Sequence, residues 1–386
     1  MHKNRISVGQ FIISLGIAVV AVGLVAEAEA ISQGIQAGLS ACGGTLIPAL
    51  FPFMTLSGFL SLSDYGRAMS YPLQPLVRKI YRLPGELAPI VLLGLIGGYP
   101  VGARSIATLL EQGRLERKTA ERMLCFCVNC GPSFLITAVG VKMLSDRRGG
   151  LILFFTQTAA TLIVGIIVSF RAENEPELLP VKKQNCADTF VRAVSGACYA
   201  MINMCAFAVL FSGLLPVINR LGVDHRIAYR TGWDPALIRA AINGFFEVTG
   251  GCMAAAGIAG VKGYFLLSLI VSFGGISVIF QIASCFKDKE ISLLPFLCTR
   301  PLHMALSSSM AMPLYRKYCA TSAAWAATPV PVQNTDLASL TGSLCLIGMC
   351  IILILATQES PKNRCSDNKW RTKCTRSYKF SKYEIN

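Results

Sequence analysis

Gly94-Leu-Ile-Gly-Gly-Tyr-Pro-Val-Gly-Ala-Arg104 decides how this chain is read. An apolar stretch interrupted by paired glycines and a proline cannot continue as one regular helix, because both residue types oppose helix propagation. A second stretch of the same kind, Ile242-Asn-Gly-Phe-Phe-Glu-Val-Thr-Gly-Gly251, lies in the later half of the chain. Each is followed by a further interruption inside an apolar run. The first is Asn129-Cys-Gly-Pro-Ser-Phe134 and the second is Phe273-Gly-Gly-Ile-Ser-Val-Ile-Phe280. Val101-Gly102 and Thr249-Gly250 hold matching places, as do Gly131 to Phe134 and Gly274 to Ser277. Four interruptions in register predict two repeats built around broken helices.

The composition around these stretches is that of a membrane protein. The 386 residues are 53% hydrophobic and only 15% charged, with a mean hydropathy of +0.54. A soluble domain carries roughly a quarter charged residues, so soluble enzymes and nucleic-acid binders recede. Apolar runs long enough to span a bilayer of about 30 Å occur at 10–26, 42–62, 123–144, 149–170, 191–218, 264–286, 291–314 and 337–357. The stretches 87–103 and 235–261 are shorter or broken by glycine, and they read as re-entrant hairpins, with full crossings as the alternative. The first run also has the layout of a signal peptide, because His2, Lys3 and Arg5 precede it and Ala26-Glu-Ala-Glu-Ala30 follows. An uncleaved first span is the preferred reading, and residues 32–41 then form a short interfacial helix.

The net charge of +15 is read by position. With the N-terminus inside and both hairpins returning to the side they leave, most Lys and Arg fall on the cytoplasmic side, as the positive-inside rule expects. Both termini are then cytoplasmic. The three charges Lys142, Arg147 and Arg148 run against that count. The same topology places the two hairpins on opposite sides, so the repeats are expected to be inverted. Inverted repeats with interrupted segments in corresponding places point to a secondary transporter's binding site.

The candidate site follows from what broken helices expose. Their free N–H and C=O groups survive at membrane depth only beside protein, water or substrate, and half-helix N-termini attract anions while unwound carbonyls suit a cation. The expected substrate-binding residues are Tyr99, Gly102, Arg104, Asn129, Gly131, Ser133, Asn243, Thr249, Gly250 and Ser277. Glu247 is the expected ion-coupling residue, since an acid in an apolar hairpin is costly unless it has a partner or a function. The coupling ion is a proton or sodium. Arg104 suits a carboxylate but equally suits snorkelling to headgroups, and Arg239 and Arg300 are weaker candidates of the same kind. No cofactor, catalytic residue or metal is expected: Cys125, Cys127 and Cys130 cluster without a His or acidic ligand nearby. Gly97 to Gly102 lacks the Lys and Ser/Thr end of a phosphate loop. An intramembrane enzyme is disfavoured. Most of the fifteen cysteines fall in apolar runs and read as small hydrophobes rather than disulfides.

At these motifs the sequence resembles the YlbJ (SpoVV) sporulation integral membrane proteins. The resemblance rests on Gly97 to Arg104, on Cys127-Val-Asn-Cys-Gly-Pro-Ser-Phe134, on Phe51-Pro-Phe53 and on Phe246-Glu-Val-Thr-Gly250, and covers about residues 30–315. Its looser elements recur in the nucleoside-recognition gate domain of concentrative nucleoside transporters. Cys127 and Cys130 and the basic tail depart from the family pattern. The apolar spans and the resemblance together predict an all-α polytopic membrane protein, with gate-like repeats at 31–170 and 191–315 around a cytoplasmic linker at 171–190. The apolar and charge pattern outside the resemblance predicts a first transmembrane segment at 1–30, a loop and last transmembrane helix at 316–360 and a basic tail at 361–386. The resemblance implies a sporulation protein of the mother-cell membrane around the forespore, moving dipicolinate toward the spore. Dipicolinate is a small planar dianion, suited to helix N-termini plus Arg104, with Tyr99 stacking on its ring. The alternatives are a nucleoside or other small-metabolite carrier and a non-transporting scaffold. The expected partners are the lipid bilayer, a small anionic metabolite and other copies or sporulation membrane proteins, with no nucleic acid.

Overall fold

The computed structural model describes residues 21–63, 65, 66, 68, 71–173, 186–287 and 289–319, with 14, 15 and 18 besides. Most of the first run, the last run at 337–357, the basic tail and most of the linker lie outside these residues. The chain divides into two compact units, Met1–Lys183 with Arg192–Thr328, and Gln184–Val191 with Pro329–Asn386. Every contact described below lies within the first unit.

The described residues are helical and contain no strand. Helix α1 (Ala28–Ala41) passes through a π-helical turn, Cys42–Leu46, straight into α2 (Ile47–Leu62). The expected interfacial helix and second span are therefore one continuous element. Short α3 (Gln74–Tyr81) leads to a pair of helices, α4 (Ala88–Ile96) and α5 (Tyr99–Glu111). Helix α6 (Arg117–Cys127) then gives way to a π-helical segment, Ser133–Met143, and to long α7 (Arg147–Ser169). The later half begins with long α8 (Cys186–Arg220) and short α9 (Val223–Thr231). It continues through the pair α10 (Pro235–Phe246) and α11 (Val248–Ala256), then α12 (Gly260–Phe273) with α13 (Gly275–Cys285), and ends in α14 (Leu294–Tyr318).

All four interruptions are real breaks between helices. Gly98 and Gly274 both have φ of +88°, a backbone region that glycine enters without steric cost. The break in the first broken helix runs through 128–131, and Pro132, which leads into the next segment, lacks the N–H that a continuing helix would use. The fourth falls at Glu247, whose extended backbone (φ −145°, ψ 125°) ends α10 and starts α11.

The paired helices fold back on themselves. A Cβ built on Gly251 would stand 2.2 Å from the Gly244 Cα, and one on Gly102 would stand 3.3 Å from the Gly94 Cα. Glycine thus permits backbone-to-backbone contact across each hairpin. With 9 and 13 residues in one pair and 12 and 9 in the other, each arm rises only about 14–20 Å. That is too short to cross a bilayer core of about 30 Å.

Among the described residues three helical stretches are long and apolar enough to cross, namely Arg147–Ser169, Cys186–Arg220 and Gly260–Cys285, the last being α12 and α13 together. The run 123–144 is divided by its break into two short pieces. Helix α14 has the length of a span at 25 residues, yet it is not among the apolar three. Its Arg300, His303, Ser307 and Ser308 are all buried in protein, so polarity that hydrocarbon would reject faces inward. The outward faces of α7 and α8 instead carry Phe155, Ile166, Ile167, Tyr199, Ile202 and Leu210, as expected of surfaces that meet lipid.

Candidate functional site

The four breaks meet. The Gly131 backbone abuts the Gly98 turn so closely that a Cβ there would lie 2.9 Å from the Gly98 N. In the other half, Gly275 stands against the Gly244 and Phe246 carbonyls and the Val248 N–H, all within 3.3 Å of where its Cβ would be. Tyr99 ties the halves together, because its hydroxyl donates to the Val271 carbonyl near the end of α12. Its ring also lies against Gly274. Each broken helix thus packs against the tip of the hairpin before it, and one buried tyrosine joins the two assemblies.

A cavity of about 450 Å³, counting its open mouth, lies at this junction. Its walls come from the π-helical turn and α2 (Leu46, Leu50), the first hairpin (Gly98, Tyr99, Pro100), the first broken helix (Cys130, Gly131, Phe134), α8 (Met204, Ala208), the second hairpin (Glu247, Val248, Thr249) and α13 (Val278, Gln281). Among the described residues Glu247 is its one charged wall residue, and it is only 2% exposed. Its Oε1 accepts the Thr249 N–H at 2.9 Å and its Oε2 the Gly250 N–H at 2.6 Å. The carboxylate caps α11, where orphan donors and the helix dipole both favour negative charge. Apolar burial favours the neutral acid. The group is therefore held between two opposing influences.

The expected site residues divide into three sets. Tyr99, Gly131, Thr249 and Glu247 line the cavity, and the Thr249 Oγ1 is buried without a partner. Gly250 contributes its N–H to the Glu247 carboxylate. Others lie just behind the wall: Asn129 turns its amide back to the Phe126 carbonyl at 2.8 Å, and Ser277 accepts from Gln281 at 3.1 Å. Asn243 lies one turn before Glu247 and accepts its N–H through the backbone at 2.7 Å. The side-chain oxygens of Asn129 and Asn243 are both buried and unpartnered. Gly102 and Ser133 are not on the cavity. Gly102 is a packing position, since a Cβ there would fall 1.7 Å from the Cys127 carbonyl oxygen, and Ser133 opens the π-helical segment.

Arg104 lies outside the Glu247 cavity. It lines a neighbouring space of about 340 Å³ with Tyr199, Asn203, Ser284 and Cys285, and the two spaces share Pro100, Met204 and Gln281 as a wall. Its guanidinium is 3.4 Å from Glu111, which also holds Lys289 at 3.0 Å. Arg239 has a different role from the one expected, pairing with buried Asp224 at 2.7 Å. Sequence reading undervalued two groups. Gln281 stands between the cavities, visible in the sequence only as a lone amide in an apolar run. Arg300 is buried beside the breaks. Among the described residues no group of His, Cys, Asp and Glu gathers as metal ligands would.

Fold and site together define an all-α polytopic integral membrane protein with a cavity where broken helices converge. The chain is similar to "Sporulation integral membrane protein YlbJ" of Bacillus subtilis (strain 168), with 22% identity over 324 residues that cover 76% of this chain and 79% of that one. This similarity supports membership of the YlbJ family. No family model matches the chain. No solved structure matches it either.

Proposed function

We propose that this protein is a sporulation membrane transporter that moves dipicolinate or a similar small anion from the mother cell toward the forespore by alternating access, and that it is not an enzyme. The observation that carries this reading is the meeting of four helix breaks, two from each half, with three of them lining one cavity walled by Glu247. Breaks at membrane depth demand partners, and a cavity between repeated elements is where a secondary transporter holds its substrate and coupling ion. The sporulation role comes from the likeness to YlbJ. In this reading the anion meets Arg104 in the outer space, passes the wall at Gln281, and reaches a chamber in which Glu247 carries the coupling ion.

One observation favours a second reading. Among the described residues the walls of the Glu247 cavity hold no Lys or Arg and offer Thr249, Gln281 and Glu247 as polar groups, a set that suits a neutral solute such as a nucleoside. A sporulating strain lacking this chain separates the two. Dipicolinate retained in the mother cell and depleted in spores, restored by the wild-type chain but not by Glu247→Gln, is the expected result. Normal spore dipicolinate in the deletion strain would contradict the anion reading.

A further inference from the structure

Arg300 on α14 is only 1% exposed, and its positive charge is permanent. No carboxylate pairs with it among the described residues. Its guanidinium instead donates to three backbone carbonyls: Cys125 at 3.0 Å through Nη2, and Val128 at 3.4 Å and Ser272 at 3.5 Å through Nη1. The ring of Phe296 lies beneath it, 4.4 Å from ring centre to guanidinium carbon. The three carbonyls come from two elements in different halves of the chain. Cys125 and Val128 stand at the end of α6, where the first broken helix stops, and Ser272 stands at the end of α12, just before Gly274.

These are the negative ends of two half-helices, with carbonyls that the breaks leave short of partners. Carbonyls of this kind coordinate the sodium ion in transporters with discontinuous helices. Burying an unpaired guanidinium is costly, so its place among carbonyls of both breaks calls for a use that a packed apolar side chain could not supply. We propose that Arg300 is a tethered cation that fills the carbonyl cage between the two broken helices, in the position a mobile alkali cation would otherwise take. It joins α6 to α12 permanently and leaves no sodium site there. For transport, an inference that rests on the function proposed above, this removes the cage as a coupling site and leaves the coupling ion to the Glu247 cavity. The packing role of Arg300 stands apart from that function.

Thermal melting of the purified full chain in detergent tests the cage without measuring flux, so the transport reading and this one can fail separately. The Glu247→Gln chain, which lacks the other candidate ion site, is expected to melt at the same temperature, within about 2 °C, in sodium and in choline chloride, because the cage takes no free ion. Arg300→Ala is expected to melt several degrees lower than wild type and to be partly restored by low-millimolar guanidinium, a cation that refills the cage. Urea, neutral and similar in shape, should not restore it. Arg300→Lys keeps the charge without the planar fork and should melt between the two. A Glu247→Gln chain stabilised by sodium overturns the proposal, as does an Arg300→Ala chain that melts like wild type or ignores guanidinium. If Arg300→Ala yields no folded protein, Arg300→Lys and the salt comparison in Glu247→Gln decide: a Lys variant that gains no stability over an Arg300→Met variant would overturn the cage.

Discussion

Glu247 is placed by its own backbone: the chain extends for one residue between α10 and α11, and the carboxylate turns onto the N–H groups of Thr249 and Gly250. Glu247→Gln keeps the shape and one acceptor but removes the charge and the titration. In the proposed transporter it should cut coupled flux at least about tenfold, equivalent to roughly 1.4 kcal/mol in barrier, while leaving protein abundance near wild type. Flux assays beside quantitative blots check this, and unchanged flux with unchanged ion dependence would remove the coupling role. Arg104→Ala should weaken anion uptake by about ten- to a hundredfold, the worth of one charge-assisted hydrogen bond, and spare a neutral solute. Equal losses for both solutes would assign Arg104 to folding, through its contact with Glu111. A third case lies outside the three apolar stretches. Burial alone would raise the Asp224 carboxyl, but hydrogen bonds from the Arg239 guanidinium and the His225 backbone bring it below its ordinary value. A lowered folded value means the pair stabilises at neutral pH, and that the contribution fades as pH falls below the ordinary Asp value of about 3.9. Arg239→Ala should therefore lower the melting temperature at pH 7, with the difference shrinking in acid.

At the scale of elements, the hairpins depend on glycines where two backbones touch. Gly102→Ala would place a methyl group 1.7 Å from the Cys127 carbonyl oxygen, and Gly251→Ala 2.2 Å from the Gly244 Cα. Neither neighbour can give way as a side-chain tip would. Each variant is expected to lose at least about 1–3 kcal/mol, the usual scale of overpacking, seen as lower yield and melting in detergent. Gly113→Ala serves as a comparison, since its Cβ would meet nothing within 4 Å although its φ of +63° adds local strain. The breaks themselves were legible in the sequence, because Gly-Gly, Gly-Pro and an acid inside apolar runs each oppose an unbroken membrane helix. Which breaks would touch was not. Tyr99 reaches Val271 and Arg300 reaches Cys125 across separations of 172 and 175 residues, and no local period encodes such a meeting. Arg104 also meets Glu111, seven residues on along the same helix face, a spacing present in the sequence, and it does so beside the space where the anion is proposed to bind.

At the scale of the whole molecule, the ion pairs are local clusters: Arg104 and Lys289 share Glu111, Arg117 holds Glu121 and Glu290, Arg220 pairs with Glu27, and Arg239 with Asp224. The positive-inside reading predicts that Glu290 lies on the cytoplasmic side and Arg226 on the opposite one. In a cysteine-free background, single cysteines at Glu290 and Arg226 should react with a membrane-impermeant thiol reagent from opposite faces of sealed vesicles. Reaction from one face would overturn the inverted reading of the halves. The measurement that bears most directly on transport is flux through the purified chain in liposomes. Dipicolinate should enter vesicles containing the wild-type chain faster than protein-free vesicles or those holding Glu247→Gln. If neither dipicolinate nor any nucleoside moves under any imposed ion gradient, the protein is not the transporter described.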